Sequence, residues 1–426
     1  MKNSLIMPRR NFIKNVAVAG AVVSTMPLFN LRAQNASRKF KVGLVGCGGR
    51  GNGALENMLE AAKTLGYEIE VHTVADFFPD RANDTAKKYN IPAERVFIGA
   101  TGYRQLVEQP IEIVLLATPP AFRPTHLEAA LNAGKHMFIE KPVAVDPVGA
   151  RKVMELDEVA KKKGLSVVSG NQRRHQGSYL RNQYAIANGA IGKIVGGTIS
   201  WCGGALWFKE RENGQSDADY MIRNWVSFSE MSGDHIVEQH VHNLDVANWF
   251  IGHPPVSAEG FGGRARRKTG NQFDFFSLDL NYGDDCHIHS MCRQINGTYG
   301  GVDEFFNGTE GTAYGGGKIQ STKLAQINVP EFKTHDNPYV QEHIDLLQSI
   351  VKGQPLVTAR SIAESTLTAI MGRISAYTGQ LVRWSDLTTN AQSPWYNLSL
   401  SPSPADFESG NVVAPKDNIC PIPGEA

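Results

Sequence analysis

Short apolar runs alternate with amphipathic stretches through the first part of the chain. Phe40–Val45, the segment EIEVHTVAD ending at Asp76, Ile111–Ala117 and Met137–Ile139 read as strands. They are nearly continuous in apolar residues, which marks strands buried on both faces of a parallel sheet. Between them, Ala54–Ala62, PDRANDTAKKY and HLEAALNAG carry helical spacing, with Gly134 placed to end the last of these. Strands alternating with helices predict an α/β doubly wound domain, here bounded at 38–168. From Val167 the pattern changes. GKIVGGTISWCGG, FDFFSLDLNYGDDCHIHSMCRQI and GTAYGGGKIQ alternate with period two and are punctuated by glycine. They predict an α+β domain over 169–387, with a large, mostly antiparallel sheet and helices on one face. The Pro-rich stretch 388–426 has no periodicity and reads as a tail.

Composition narrows the function classes. In 426 residues the formal net charge is +1, so nothing points to a nucleic acid or an anionic membrane as partner. The 5 cysteines include no CxxC pair, which argues against a zinc cluster or a disulfide framework and for free thiols. The start is different. Arg9 and Arg10 precede Phe12 and Lys14, then comes the apolar run NVAVAGAVVSTMPLF, then LRAQNA. A charged start, a short apolar core and a small-residue end make an export signal over 1–33, and the paired arginines give it the twin-arginine form. The expected location is periplasmic. That route carries folded proteins and suits one that takes up a cofactor first.

The cofactor is read from the first domain. Gly46, Gly48 and Gly51 form G-x-G-x-x-G between a strand and a helix, and Gly49 and Arg50 lie inside that loop. The first glycine permits a tight turn, the second lets backbone approach a pyrophosphate, and the third lets helix pack on strand. The phosphates then sit at the helix N-terminus. Asp76 closes the next strand, where an acid binds the adenosine ribose hydroxyls and repels a 2′-phosphate, so NAD is favoured over NADP. Ligands of such a sheet lie beyond the carboxyl ends of its strands, which puts Thr118, Pro119, His126, Glu140 and Lys141 on the cofactor rim. Pro142 fixes the turn that aims Glu140 and Lys141, and the peptide before a proline can be cis.

One stretch of the second part carries chemistry, DHIVEQHVHNLDVANWFIG from Asp234 to Gly252. Read as a single helix at about 100° per residue, it puts His235, Glu238, His242 and Asp245 on a polar face opposite Ile236, Val237, Val241, Leu244 and Ala247. His240 falls among the apolar residues. Acid–base work suits this face best, with His242 taking and returning a proton and Glu238 orienting it. A metal site is the weaker reading, because the histidine spacing is not that of common helical zinc sites.

Together these residues resemble the Gfo/Idh/MocA oxidoreductases over about Lys39 to Leu387. The resemblance rests on the glycine loop, Thr118-Pro119, Glu140-Lys141-Pro142, GNQRRH, the Glu238/His242/Asp245 stretch, and the later GTEGTAYGGG and YVQEHIDLLQSIVKGQPL. It implies that Lys141, Glu238 and His242 are the catalytic set. It implies too that Asn171, Arg173, Arg174, His175 and Tyr179 lie where nicotinamide and substrate meet. Glu238 stands where the family usually has Asp, and His240 where it has Gly. The implied substrate is a sugar, a cyclitol or a derivative, and a homo-oligomer is expected. Export adds that NAD must stay bound through many turnovers. The expected activity is interconversion of hydroxyl and keto sugars, perhaps at C3. The alternatives are an NAD-dependent glycosidase that oxidises C3 transiently, and a non-catalytic sugar sensor.

Overall fold

The computed structural model describes residues 38–400 and 402–424. The export signal expected over 1–33 lies outside them. The first sheet has six strands, β1 (Lys39–Val45), β2 (Glu68–Asp76), β3 (Val96–Ile98), β4 (Ile113–Leu116), β5 (His136–Ile139) and β6 (Val167–Ser169). All pairs are parallel and the order is β3-β2-β1-β4-β5-β6. The chain direction across the sheet therefore reverses between β1 and β4, the place where such sheets hold dinucleotides. The continuous apolar strands are buried as their pattern requires, with Val42, Leu44, Ile113 and Leu115 fully inaccessible.

Helix ends follow local chemistry. Gly49–Leu65 stops at Gly66, whose φ is 72°. Pro147–Lys163 begins where the Asp146 side chain accepts from Gly149 N–H at 2.7 Å and ends at Gly164, φ 67°. Both are helix termini that glycine or an acidic cap supports.

The second sheet has eight strands, β7 (Ile194–Gly203), β8 (Ser257–Gly263), β9 (Phe275–Asn281), β10 (His287–Gln294), β11 (Gly301–Gly308), β12 (Gly311–Tyr314), β13 (Ile319–Gln320) and β14 (Val382–Arg383). Its order is β13-β12-β11-β7-β10-β9-β8-β14, antiparallel except for the β10–β7 pair. The helices Val241–Ile251 and Ala359–Thr378 pack on it. Gly372 of the longer helix lets it approach closely, since a Cβ there would stand 2.4 Å from Leu278 Cδ1.

Two features depart from a clean split at residue 168. The helix Pro338–Val351 returns to the first domain, where Val340, Ile344, Leu346 and Leu347 join Phe40, Leu55, Met58 and Phe138 in one apolar cluster. Each such side chain contributes about 1.5–3 kcal/mol over leaving it in water, enough to seat the helix. A larger cluster runs from Val114 and Leu116 through Leu244 and Ile370 to Leu280, joining the two domains without an apolar break. The tail also has a definite course, with a short helix Pro404–Ser409 whose Phe407 is buried. All five cysteines are free thiols.

Candidate active site

The glycine loop leaves β1 with Gly46 at φ 97°. A Cβ on Gly46 would meet Ala117 C at 2.7 Å, and one on Gly51 would meet Gly46 O at 1.8 Å. Those two glycines serve close backbone packing. Gly49 faces open space, and the helix that starts there has no side-chain cap at Gly48. Free N–H groups thus face an open cradle, the geometry a pyrophosphate fits. Asn52 Nδ2 donates to Cys47 O at 2.7 Å and holds the loop's shape. Asp76 accepts from Cys47 N–H at 2.7 Å and Phe78 N–H at 2.8 Å, one on each oxygen. Each oxygen keeps a further acceptor site for a ribose hydroxyl. Burial lifts its carboxyl above the usual range, against the pull of the two N–H donors and Arg81.

The rim residues after β4 are less open than their spacing suggests. His126 is buried, its Nδ1 lies 3.1 Å from Thr118 Oγ1, and its ring packs 4.2 Å from that of Tyr103. Burial, with Arg123 beside it, pushes the imidazole down to about 3. His126 is thus neutral and buried under Thr118, with Nε2 lacking a protein partner. Arg123 is the residue the pattern did not reveal. It is buried and donates to Leu116 O and Thr118 O, each at 2.7 Å, pinning the Thr118-Pro119 turn.

At the end of β5, Glu140 is buried and accepts from Arg50 Nε at 2.5 Å, tying the glycine loop to this strand. The Lys141–Pro142 peptide is cis. Lys141 Nζ donates to Glu238 O at 2.7 Å and to Glu238 Oε1 at 3.0 Å, so the two domains meet at this ammonium. Asn171, after β6, is buried with Nδ2 lacking a protein partner, a donor free for a carboxamide or a hydroxyl.

The stretch 234–252 is not one helix. His235–Glu238 and Val241–Ile251 are separate, and His235 O accepts from both Gln239 N–H at 2.9 Å and His240 N–H at 3.3 Å. That widened turn inserts a residue and rotates the second helix relative to the first. His235 therefore leaves the site. It is buried against Phe276, with ring centroids 5.1 Å apart, and its Nδ1 lies 3.2 Å from Asp234 Oδ1. Its placement on a substrate-facing surface with His242 is corrected. His240 is a core histidine, with Nε2 2.8 Å from Ser290 Oγ.

His242 stacks on Trp201, centroids 5.7 Å apart at 23°, within reach of the Lys141 charge. Burial first, then the charges of Lys141 and Arg173, holds its imidazole well below the ordinary histidine value. The ring is thus neutral near pH 7, and the same shift weakens it as a base. Because the neutral form persists as pH falls through the ordinary value, the acid side of a kcat/KM profile is expected to show no inflection at 6.5. An inflection there would show that His242 titrates as an exposed imidazole.

The GNQRRH segment is held by carboxylates. Arg173 pairs with Glu304, which also accepts from Tyr179 Oη at 3.0 Å and Asn243 Nδ2 at 2.6 Å. Burial pushes the Glu304 carboxyl up, against the pull of Arg173. Arg174 donates to both oxygens of Asp245 at 2.8 and 2.9 Å, and Ser365 Oγ donates to one of them at 2.8 Å. His175 Nδ1 lies 2.5 Å from Asp345 Oδ2. Asp245 is almost fully buried and occupied, so its placement as a substrate ligand is corrected to that of an anchor for Arg174. Tyr179 is likewise engaged by Glu304. Trp201 and Glu304 gave no signal in the sequence beyond the alternation of β7 and β11, and Asn243 and Asp345, both on helices, gave none.

Two family models match parts of the chain. The oxidoreductase family with an NAD-binding Rossmann fold matches residues 40–170, and the GFO/IDH/MocA C-terminal domain matches residues 179–314. The chain belongs to the Gfo/Idh/MocA family. Among curated Gfo/Idh/MocA relatives, the inositol 2-dehydrogenase/D-chiro-inositol 3-dehydrogenase of Lactiplantibacillus plantarum is 26% identical over 54% of this chain and 58% of that enzyme. The inositol 2-dehydrogenase of Burkholderia cenocepacia is 28% identical over 51% of this chain and 56% of its own length. The matches thus span somewhat more than half of those enzymes. Two solved structures share the fold. An oxidoreductase from Thermotoga maritima has a TM-score of 0.62 at 22% identity, covering 82% of this chain and 100% of that one. The aldose-aldose oxidoreductase of Caulobacter crescentus has a TM-score of 0.61 at 16% identity, covering 81% and 100%.

Proposed function

We propose that the protein is an NAD-dependent oxidoreductase acting on a hydroxyl of a neutral carbohydrate, a sugar, glycoside or cyclitol, with the dinucleotide tightly held. The observation that carries this reading is the meeting of Lys141, from the Rossmann rim, with Glu238 and His242, from the second domain. Bound NAD would supply the hydride acceptor, and the chain supplies placement and proton transfer. Neutral His242 is poised to take the hydroxyl proton. Lys141 stabilises the oxygen as its charge changes, and Glu238 holds the ammonium in place. Asn171 Nδ2 has the free donor to orient a carboxamide or a second hydroxyl.

The neutrality of the substrate is argued from charge pairing. Lys141, Arg173, Arg174 and Arg50 each face a carboxylate of the protein, so among the described residues around Lys141 and His242 these cations are already committed and an anionic sugar finds no free partner in them. Oxidation at C3 and export to the periplasm belong to the same reading. The test uses protein recovered from the periplasmic fraction, without added NAD. A panel of inositols, aldoses and methyl glycosides is expected to reduce the bound nicotinamide, read at its near-ultraviolet absorbance, and to yield a keto sugar. Continuous release of nitrophenol from a nitrophenyl glycoside would favour the glycosidase. Saturable sugar binding with no redox change, or no protein in that fraction, would refute the corresponding part.

A further inference from the structure

We propose that the adenosine half of the cofactor site is completed from outside the Rossmann domain, by Arg223 of the second domain and Phe407 of the tail, so that the dinucleotide is a resident group. This rests on the reading that NAD lies across the β1–β4 switch.

The first observation is a third apolar cluster. It contains Phe78 after β2, Ala100 after β3, Ala121 and Phe122 after β4, and Val145 beyond β5. Against these pack Ala218, Tyr220, Met221, Ile222, Phe228 and Met231 of the second domain, with Phe407 and Val412 of the tail. The Rossmann residues come from loops at the carboxyl ends of strands on both sides of β1. A layer that touches all of them crosses the crevice in which the adenosine lies.

The second observation is charge. Arg81 and Arg223 flank the Phe78 ring, their guanidinium carbons 4.7 and 4.1 Å from its centroid. Among the described residues neither forms an ion pair with a carboxylate. Arg81 Nη1 also lies 3.8 Å from where a Cβ on Gly48 would stand, over the open cradle. Arg81 of the first domain thus borders the cradle, and Arg223 of the second lies across the Phe78 ring, two residues beyond Asp76.

The third observation is how the tail is tied. Leu400 N–H donates to Asp146 Oδ2 at 2.9 Å and Glu408 Oε2 accepts from Thr101 N–H at 3.0 Å, both on the Rossmann side. Phe407 meets Phe122 edge to face, centroids 5.1 Å apart. Ala414 N–H donates to Asp217 Oδ2 at 2.9 Å, and Asp417 Oδ1 accepts from Gly270 N–H at 2.5 Å, both in the second domain. The strap therefore spans both domains, and the adenosine leaves only when strap or layer opens.

The test reads retention, not turnover. Full-length protein is dialysed exhaustively, denatured, and its released dinucleotide quantified by mass spectrometry; a second sample is incubated with isotopically labelled NAD and exchange is followed. Wild type is expected to keep stoichiometric dinucleotide and to exchange slowly. Phe407→Ala and Arg223→Ala are expected to exchange at least about tenfold faster, a change of about 1.4 kcal/mol in holding the group. Arg223 is only half-buried, so its variant keeps the test alive if the Phe407 variant does not fold, with circular dichroism as the check. Wild type that loses its dinucleotide on dialysis, or folded variants that exchange as slowly as wild type, would overturn the proposal. No sugar is present in the assay, so failure of the proposed reaction and failure of this inference give different results.

Discussion

Lys141→Met is expected to lower kcat by about 10²–10⁴-fold, the usual size of a lost proton-transfer or charge-stabilising group, while bound dinucleotide remains. Methionine keeps most of the lysine stem and removes the ammonium. The group it removes sits 2.7 Å from Glu238 O and 3.0 Å from Glu238 Oε1, at the junction of the domains. The substitution also strips Glu238 of its counter-ion. That carboxylate is only 13% exposed, and a charge left unpaired in such a place destabilises its surroundings. The double variant Lys141→Met with Glu238→Gln separates the two effects. If the ammonium acts on the substrate, the double variant stays slow although its folding stability recovers. Reduction of the bound nicotinamide under single-turnover conditions is the measurement. A rate within about twofold of wild type would remove Lys141 from the reaction.

The second large effect is expected from Gly51→Ala. The new Cβ would stand 1.8 Å from Gly46 O, a backbone atom with no rotamer to yield. The first helix must then move away from β1, at a cost of about 1–3 kcal/mol or more, and the cradle opens with it. We expect protein that purifies without dinucleotide and melts at lower temperature. Gly49→Ala is the contrast. Nothing lies within 4 Å of a Cβ at that position, so the fold should persist and only the approach of a ligand to the backbone is affected. Equal melting curves for Gly51→Ala and wild type would show that the close packing of loop and helix is not what holds the site.

Much of the first domain was legible because its signals are local. Four glycines of one loop, an acid at a strand end and a proline after a lysine each act within a few residues. The Lys141-Pro142 turn and the Gly134 helix end lie where the chain's own punctuation puts them. The stretch 234–252 was misjudged for a physical reason. Helical periodicity extrapolates one rotation per residue, and a single widened turn at His235–His240 breaks the sum. His235 then points into the core, while His242 stays within reach of the Lys141 charge. Asp245 was read differently for another reason. Its residue type suits a ligand equally well, and only its partners, Arg174 and Ser365, show that it is already used, while Tyr179 donates to Glu304.

The chain by itself determined the strand–helix alternation of the first domain, the glycine loop and the family resemblance, since each depends on neighbours in sequence. Only the tertiary structure decided which groups meet: Lys141 with Glu238, His242 with Trp201, Arg173 with Glu304, and the tail with Phe122. Those contacts join residues far apart along the chain, and they form because two apolar cores and a strap close on one another, an outcome that no local periodicity encodes.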